Sequence, residues 1–291
     1  VAARQVRAVG VAGMLPAVVL LDSQQRVLRP SIQQSDGRCA EQVLQMRTEL
    51  DAEAFVQRTG NGINQQLVAC KMRWLRKHEP QVFGQVACVF GSYDYIAWRL
   101  TGQRHVEHNW ALEAGFVDLA SGRLSEDLIA LAGLLPGQVP ALARSHDIIG
   151  TVTAEAAATT GLPAGIPVIA GVADHVASAY AAGVNRPGDM LIKLGGAGDV
   201  LMATSQAQPD ARMFLDYHVV PGLFMPNGCM ACSGSLLNWF AEHFGGAADR
   251  PGQRSRHASL DLLAEQVAPG SEGVLALPPL LHADAISRLQ A

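Results

Sequence analysis

The chain has 291 residues, of which 49% are hydrophobic and 16% charged, and its formal net charge is −4. A negative charge argues against a protein that neutralises nucleic-acid phosphates, so no nucleic-acid partner is expected. No apolar run approaches the roughly 18 residues of a membrane span and no signal peptide is visible, so the sequence predicts no membrane partner and a cytoplasmic protein. The five cysteines are odd in number and irregularly spaced, which argues against a disulfide framework.

The first half of the chain alternates strand and helix patterns. Apolar, β-rich runs at 6–13 and 17–21 predict strands, and a helical pattern follows over 39–58. A second helix is predicted over 66–78, ended by Pro80. The run "VACVFGSYDYIAWRLTG" predicts a strand and then a helix, with Asp94 and Gly102 as its capping residues.

The second half continues this alternation, which predicts an α/β fold. "TVTAEAAATTGLPAG" predicts a helix that leads into a strand at 166–171 and then a helix beginning near Asp174. Two apolar runs, "MLIKL" and "VLMAT", are joined by "GGAGD" and predict a hairpin with a glycine turn. The turn-rich segment "GVNRPGD" between these regions is the predicted domain boundary.

Asp174 is a carboxylate placed where a strand passes into a helix. One interpretation is a helix N-cap, which accepts backbone N–H groups and interacts favourably with the helix dipole. The other is a base that accepts a hydroxyl proton during phosphoryl transfer. The local pattern alone leaves both interpretations open.

Three further motifs carry weaker signals. "LGGAGD" at 194–199 lets backbone N–H groups approach an anion, but it matches neither the P-loop nor the dinucleotide fingerprint. "HVEHNW", with His105 and His108, lacks the four-residue spacing and the third ligand of a helical metal site. "CMAC" at 229–232 is a lone CxxC and is interpreted as buried small residues.

Several segments occur in the order found in the FGGY carbohydrate kinases, and the chain most resembles the xylulokinase-like members of that family. The resemblance covers nearly all 291 residues. The segments that carry it are "GMLPAVVLLDSQQRVLRPSIQQSDGRC", "KMRWLRKHEP", "GSYDYIAWRLTG", "AGVADHVASAYAAGV" and "LIKLGGAGDVLMATS".

The resemblance implies an actin-like ATPase (ribonuclease H-like) α/β fold, with two domains and a cleft between them. Residues 1–184 would form the sugar-binding domain without its first hairpin, and residues 185–291 would begin an incomplete ATP-binding domain. The implied activity is ATP-dependent phosphorylation of a sugar or polyol hydroxyl, with ATP and Mg²⁺ as cofactors and no metal ligand assigned in this chain. A homodimer is one candidate assembly.

The resemblance also implies roles for individual residues. Asp174 falls at the position of the family's catalytic base. The implied nucleotide-binding residues lie in the glycine turn and in "SGSLLNW": Gly195, Gly196, Ala197, Gly198, Gly234 and Asn238. Gly196 and Ala197 stand where the family commonly has hydroxyl residues. Helix packing for Gly234 and an ordinary cap for Asn238 remain alternative interpretations.

The implied substrate-binding residues depart further from the family pattern. They are Leu15, Pro16, Gln34, Asp36, Gln66 and His175. Leu15 and Pro16 stand in "GMLPA", where xylulokinases typically read Gly-Gln-Met-His-Gly, so a hydrogen bond to the substrate is lost. His175 replaces the customary Asn or Gln after the base. A xylulose-like ketose or a related polyol is therefore expected, and the sugar itself is not fixed.

Two alternatives to a working kinase are considered. A catalytically silent sugar-binding or regulatory paralogue would explain Leu15, Pro16 and the missing hydroxyls, but it has little need for Asp174. A nicotinamide-dependent dehydrogenase would need a glycine fingerprint after an early strand, which is absent from the sequence. The family's phosphate loop and its adenine-binding portion fall outside this chain, so we expect the chain by itself to have little or no kinase activity.

Overall fold

The structure is a computed structural model, and it describes residues 2–196, 198–230, 233–245 and 255–274. The helices are α1 (Ala40–Glu49), α2 (Ala52–Thr59), α3 (Val68–His78), α4 (Pro80–Phe83), α5 (Ser92–Thr101), α6 (His108–Glu113), α7 (Glu126–Leu131), α8 (Ala154–Thr160), α9 (Asp174–Ala181), α10 (Gly234–Phe244) and α11 (Arg256–Ala264). Short 3₁₀ turns occupy Ala3–Gln5, Pro136–Gln138 and Ser271–Gly273.

The strands are short and pair mostly in twos. They are β1 (Ala12–Gly13), β2 (Val19–Leu21), β3 (Cys88–Phe90), β4 (Val106–Glu107), β5 (Val117–Asp118), β6 (Arg123–Leu124), β7 (Leu142–Ala143), β8 (Ile148–Thr151), β9 (Pro167–Ile169), β10 (Val172–Ala173), β11 (Met190–Leu194), β12 (Gly198–Met202), β13 (Phe214–Tyr217) and β14 (Phe224–Met230). Strands β1 and β10 are parallel, as are β4 and β7, whereas β2–β3, β5–β6 and β8–β9 are antiparallel. The last four strands form one sheet in the order β11-β12-β14-β13.

The main core forms around strands that are apolar on both faces. Every residue of β2 and β3 is buried, which is why both segments are continuous apolar runs rather than alternating ones. Helix α3 packs against this region through Val68, Met72 and Leu75, which lie on one face at the spacing that a helix requires. Lys71 is buried on the same helix, and a lysine in such a place needs hydrogen-bond partners.

Most of the predicted helices and their caps are confirmed. Gly102 and Gly161 adopt left-handed backbone conformations at the ends of α5 and α8, and the Asp94 carboxylate accepts the Gly91 N–H at 3.0 Å. The single helix predicted over 39–58 is wrong, because the chain forms α1 and α2 with a break between them. Leu50 is extended there, and the Asp51 side chain accepts the Ala54 N–H as the N-cap of α2.

The chain divides into two compact units. The first consists of residues 1–191 and 201–227, and the second of 192–200 and 228–291. The predicted division at 184/185 concerns the domains of the family, and it stays a prediction. None of the helices that the structure describes is long and apolar enough to cross a membrane.

Candidate active site

The carboxyl ends of two parallel strands bring the segment around residue 15 next to Asp174. Ala12 pairs with Val172 and Gly13 with Ala173. Parallel strands end at the same edge. Residues 14–16 and Asp174, which directly follow the two strands, therefore lie next to each other. Gly171 makes this pairing possible, since its φ is +95° and a Cβ atom there would lie 2.2 Å from the Val11 carbonyl oxygen.

Asp174 is the first residue of α9, and its side chain is 59% exposed. The N-cap position belongs to Ala173, whose side chain makes no capping bond. An acid in the first helical turn still interacts favourably with the helix dipole. The carboxylate is therefore accessible to a ligand while its backbone is fixed by both a strand pair and a helix.

His175 connects the exposed acid to a buried one. Its Nε2 lies 2.8 Å from Oδ2 of Asp216, which is fully buried on β13, and its Nδ1 lies 3.6 Å from Oδ1 of Asp174. Burial alone would lower the pKa of His175, but the charge of Asp216 and the nearby carboxylate of Asp174 raise it well above its ordinary value. The imidazole is thus held between two carboxylates.

Glu113, at the end of α6, completes a buried cluster with His175 and Asp216. One donor atom from each side chain lies within 4.8 Å of the others, and this is the only such trio of potential metal ligands in the part of the chain that the structure describes. Burial and the neighbouring charge of Asp216 raise the pKa of Glu113 well above its usual range. The spacing could accommodate a small cation, but the hydrogen bond between His175 and Asp216 already pairs these two groups.

Two asparagines fix the strand that carries Asp216. Asn61 exchanges two hydrogen bonds with the backbone N–H and C=O of Leu215, both at 3.0 Å. Asn109 does the same with Tyr217, at 2.7 and 3.0 Å. The backbone N–H and C=O groups of residues 215 and 217 point away from β14. The side-chain amides of Asn61 and Asn109 therefore pair with them as a neighbouring strand would.

Leu15 and Pro16 were predicted to contact the sugar, but they do not lie in the exposed, polar surroundings that such a role requires. Both are buried, and Leu15 belongs to the hydrophobic core. Nζ of Lys71 donates to the carbonyl oxygens of Pro16 at 3.3 Å and of Gln33 at 2.7 Å. Burial lowers the pKa of Lys71 to about 8. Lys71 was not predicted as a site residue, although it opens the motif "KMRWLRKHEP".

Gln34, Asp36 and Gln66 are all partly exposed. Asp36 is bound by Arg38 through contacts of 2.6 to 2.9 Å, and this side-chain hydrogen bonding lowers the pKa of Asp36. The backbone N–H of Gln66 donates to the Asn64 side chain. Neither Gln34 nor Asp36 is joined to Asp174 by a described hydrogen bond, so their assignment to the sugar site stays a prediction.

The second unit brings the predicted nucleotide-binding segments together. The N–H of Gly234 donates to the carbonyl oxygen of Gly195 at 2.8 Å, and Ser233 and Ser235 donate to that of Gly196. A Cβ atom on Gly234 would lie 2.7 Å from the Gly195 oxygen, so helix α10 needs a glycine here. Gly198 begins β12, and Ala197 lies outside the described residues. Asn238 is exposed and its Oδ1 contacts His257 at 3.0 Å.

The histidine motif "HVEHNW" has a structural role. Glu107 is fully buried and accepts hydrogen bonds from Tyr93, from Ser145 and from the backbone at the start of α6. Nε2 of His105 lies 3.2 Å from the Ala170 carbonyl oxygen, and His108 packs against the ring of Tyr217. Of these contacts, that of His105 reaches the segment between β9 and β10, which precedes Asp174.

Comparison with known proteins gives consistent matches. The family model for the FGGY family of carbohydrate kinases, N-terminal domain, matches residues 1–181. A xylulose kinase of Escherichia coli (strain K12) is 30% identical over 280 residues, which is 95% of this chain and 55% of that protein. An autoinducer-2 kinase of E. coli (strain ATCC 8739) is 26% identical over 82% of this chain and 47% of that protein.

The crystal structure of xylulose kinase from Rhodospirillum rubrum is 56% identical, with a TM-score of 0.84 over 94% of this chain and 55% of that one. The chain therefore spans about half the length of the curated relatives it matches. These matches confirm the predicted actin-like ATPase fold. The chain belongs to the FGGY family of carbohydrate kinases.

Proposed function

We propose that the whole protein carrying this chain transfers the γ-phosphoryl group of ATP to a hydroxyl of a sugar or polyol, with Asp174 as the catalytic base. The observation that carries this proposal is the exposed carboxylate of Asp174 at the carboxyl end of β10. Such a group can accept the hydroxyl proton as the sugar oxygen attacks phosphorus. The relatives that are named as kinases support phosphoryl transfer as the class of reaction.

The chain fits a nucleotide phosphate at the glycine turn of the second unit. Apart from its chain neighbours, no described residue has an atom within 4 Å of the place where a Cβ atom of Gly196 would stand, so a phosphate could approach the backbone there. Gly195 and Gly234 would hold the shape of this turn through their 2.8 Å hydrogen bond. ATP supplies the phosphoryl group when bound, and Mg²⁺ would accompany its phosphates.

The substrate is proposed only as a class, a xylulose-like ketose or a related polyol. Relatives at similar identity are named for different substrates, which gives no reason to choose one. Gln34, Asp36 and Gln66 are the polar side chains proposed to contact it, with Leu15 and Pro16 as further lining residues. His175 was predicted as a contact as well, but both of its ring nitrogens face carboxylates. A cytoplasmic location and a homodimer remain predictions.

A panel of ketoses and polyols tested on the whole protein, with coupled detection of ADP, examines this proposal. We expect one sugar to be phosphorylated, and Asp174→Ala to lower kcat by about 10²–10⁴-fold, which is the contribution of a general base. Asp174→Ala turnover equal to wild type would remove Asp174 from the mechanism. The chain 1–291 by itself is expected to show little or no turnover.

A catalytically silent sugar binder is the second candidate, and the burial of Leu15 and the glycine at 196 favour it. Calorimetry with the same panel separates the two functions. Heat of sugar binding without any phosphate transfer, at every ATP concentration, would identify a binder. Transfer to any sugar of the panel would identify a kinase.

A further inference from the structure

We propose that His175, held by Asp216, is a positioning residue that places a positive N–H beside the carboxylate of Asp174. The inference rests on the proposed function, because it concerns the same acid. Its basis is geometric. One imidazole nitrogen lies 2.8 Å from a carboxylate oxygen and the other lies 3.6 Å from a second carboxylate oxygen.

Both ring nitrogens of His175 face acceptors that cannot donate when ionised. A neutral imidazole carries one N–H, so it would turn a lone pair toward one of these two carboxylates. A protonated imidazole directs an N–H toward each of them. The arrangement therefore selects the imidazolium form, and the raised pKa of His175 agrees with this.

The buried side of the cluster balances that charge. Asp216 is fully buried, and its Oδ1 has no hydrogen-bond partner among the described residues. Glu113 is the other carboxyl group of this cluster, and burial and Asp216 raise its pKa. Asp216 and His175 then form a paired anion and cation, which is the arrangement that a buried charge needs.

The acidic groups that raise the pKa of His175 are Asp216 on β13, Asp174 on its own helix and Glu113 on α6. Lys71 on α3 acts on Glu113. Three of these four are acids, so the local field holds the proton on the imidazole. Asp174 is the exposed member of this cluster, and its carboxylate faces the protonated imidazole of His175.

Two consequences follow for Asp174. A fixed N–H near Oδ1 restricts rotation of the carboxylate and so orients the base. A neighbouring cation also favours the ionised form of an acid, so the base stays ionised to lower pH than it would beside a neutral amide. A unit charge 3.6 Å away in nearly bulk water displaces an acid titration by about one pH unit.

The test is the pH profile of kcat/KM for the best sugar, measured on the whole protein. In Asp216→Asn and His175→Asn we expect the acid limb to move to higher pH by about one unit, because the cation that favours ionised Asp174 is lost. We expect kcat at pH 7.5 to fall about tenfold, a part of the general-base contribution. The matched control is His218→Asn, which removes a buried histidine two residues after Asp216, just beyond the end of β13.

His218 bonds the Val184 carbonyl oxygen rather than an acid, so its loss should lower stability and leave the acid limb in place. An unchanged limb in both Asp216→Asn and His175→Asn would overturn the inference, even if Asp174→Ala is inactive. A fully active Asp174→Ala protein would instead overturn the proposed function. If Asp216→Asn does not fold by circular dichroism, His175→Asn carries the test. A stoichiometric divalent metal, detected by elemental analysis and lost in Asp216→Asn, would also refute it.

Discussion

Replacing Asn61 by alanine is expected to lower the free energy of unfolding by about 3 kcal/mol. The side chain is buried and makes two 3.0 Å hydrogen bonds to the backbone of Leu215. Alanine leaves one N–H and one C=O without partners, and each unpaired buried group costs roughly 1–3 kcal/mol. Because residue 215 directs these groups away from β14, the sheet cannot take over the two lost bonds.

Urea denaturation of the chain, followed by circular dichroism, measures this loss. Asn64→Ala is the matched control, since Asn64 lies in the same loop and its side chain bonds the nearby backbone of Gly62 and Gln66 among the described residues. We expect a loss of about 1 kcal/mol or less for the control. If Asn61→Ala costs no more than Asn64→Ala, side-chain amides do not hold strand β13. In the whole protein, Asn61→Ala should also shift the acid limb in the direction of Asp216→Asn.

Three further predictions concern the strand pair and the buried charges. Gly171→Ala should destabilise the chain by about 3 kcal/mol or more in thermal or urea unfolding, because φ is +95° and the new Cβ atom would meet the Val11 oxygen; a loss below about 1 kcal/mol would contradict this. Burial raises the pKa of Glu107 from 4.5 to about 7, so the folded chain binds the proton of this carboxyl group more tightly than the unfolded chain does. The free energy of unfolding should therefore fall as the pH rises from 4.5 to 7, by up to about 3 kcal/mol. Urea titrations at several pH values should show Glu107→Gln removing that part of the slope, and an unchanged slope would refute it. Burial lowers the pKa of Lys71 from 10.5 to about 8, so stability should rise from pH 8 to 10.5, and Lys71→Met should abolish this rise in the same titrations.

Local elements were predictable where the determining residues are neighbours in sequence. Thr153 caps α8, and Gly161 ends it, through contacts within a few residues. The break between α1 and α2 was missed because an unbroken helical pattern spans it. Asp51 followed by Ala-Glu-Ala was the available signal, since an aspartate before a helical run is a common N-cap.

The candidate site was predictable only in part. Asp174 was singled out because it follows a strand in the sequence, and its role as base was implied by the resemblance and stays a prediction. The parallel pairing with β1 places it beside residues 14–16. Asp216 and Glu113 were not predicted, because no motif links them and Asp216 is 41 positions from its partner His175. The one available signal for Asp216 was an acid inside the apolar strand "MFLDYHVV". His175 was predicted as a sugar contact, without the buried acid that holds it.

The first unit includes residues 201–227, which follow a segment of the second unit in the sequence, and this limits where the chain can be truncated or joined to another. A fragment ending at residue 181, where the family model ends, would lack the strand that Asn61 and Asn109 bind and the acid that His175 contacts. Chimaeras that exchange the two halves between family members would separate partners that must be inherited together. A junction placed after Asn227 keeps every one of these pairs on the same parent.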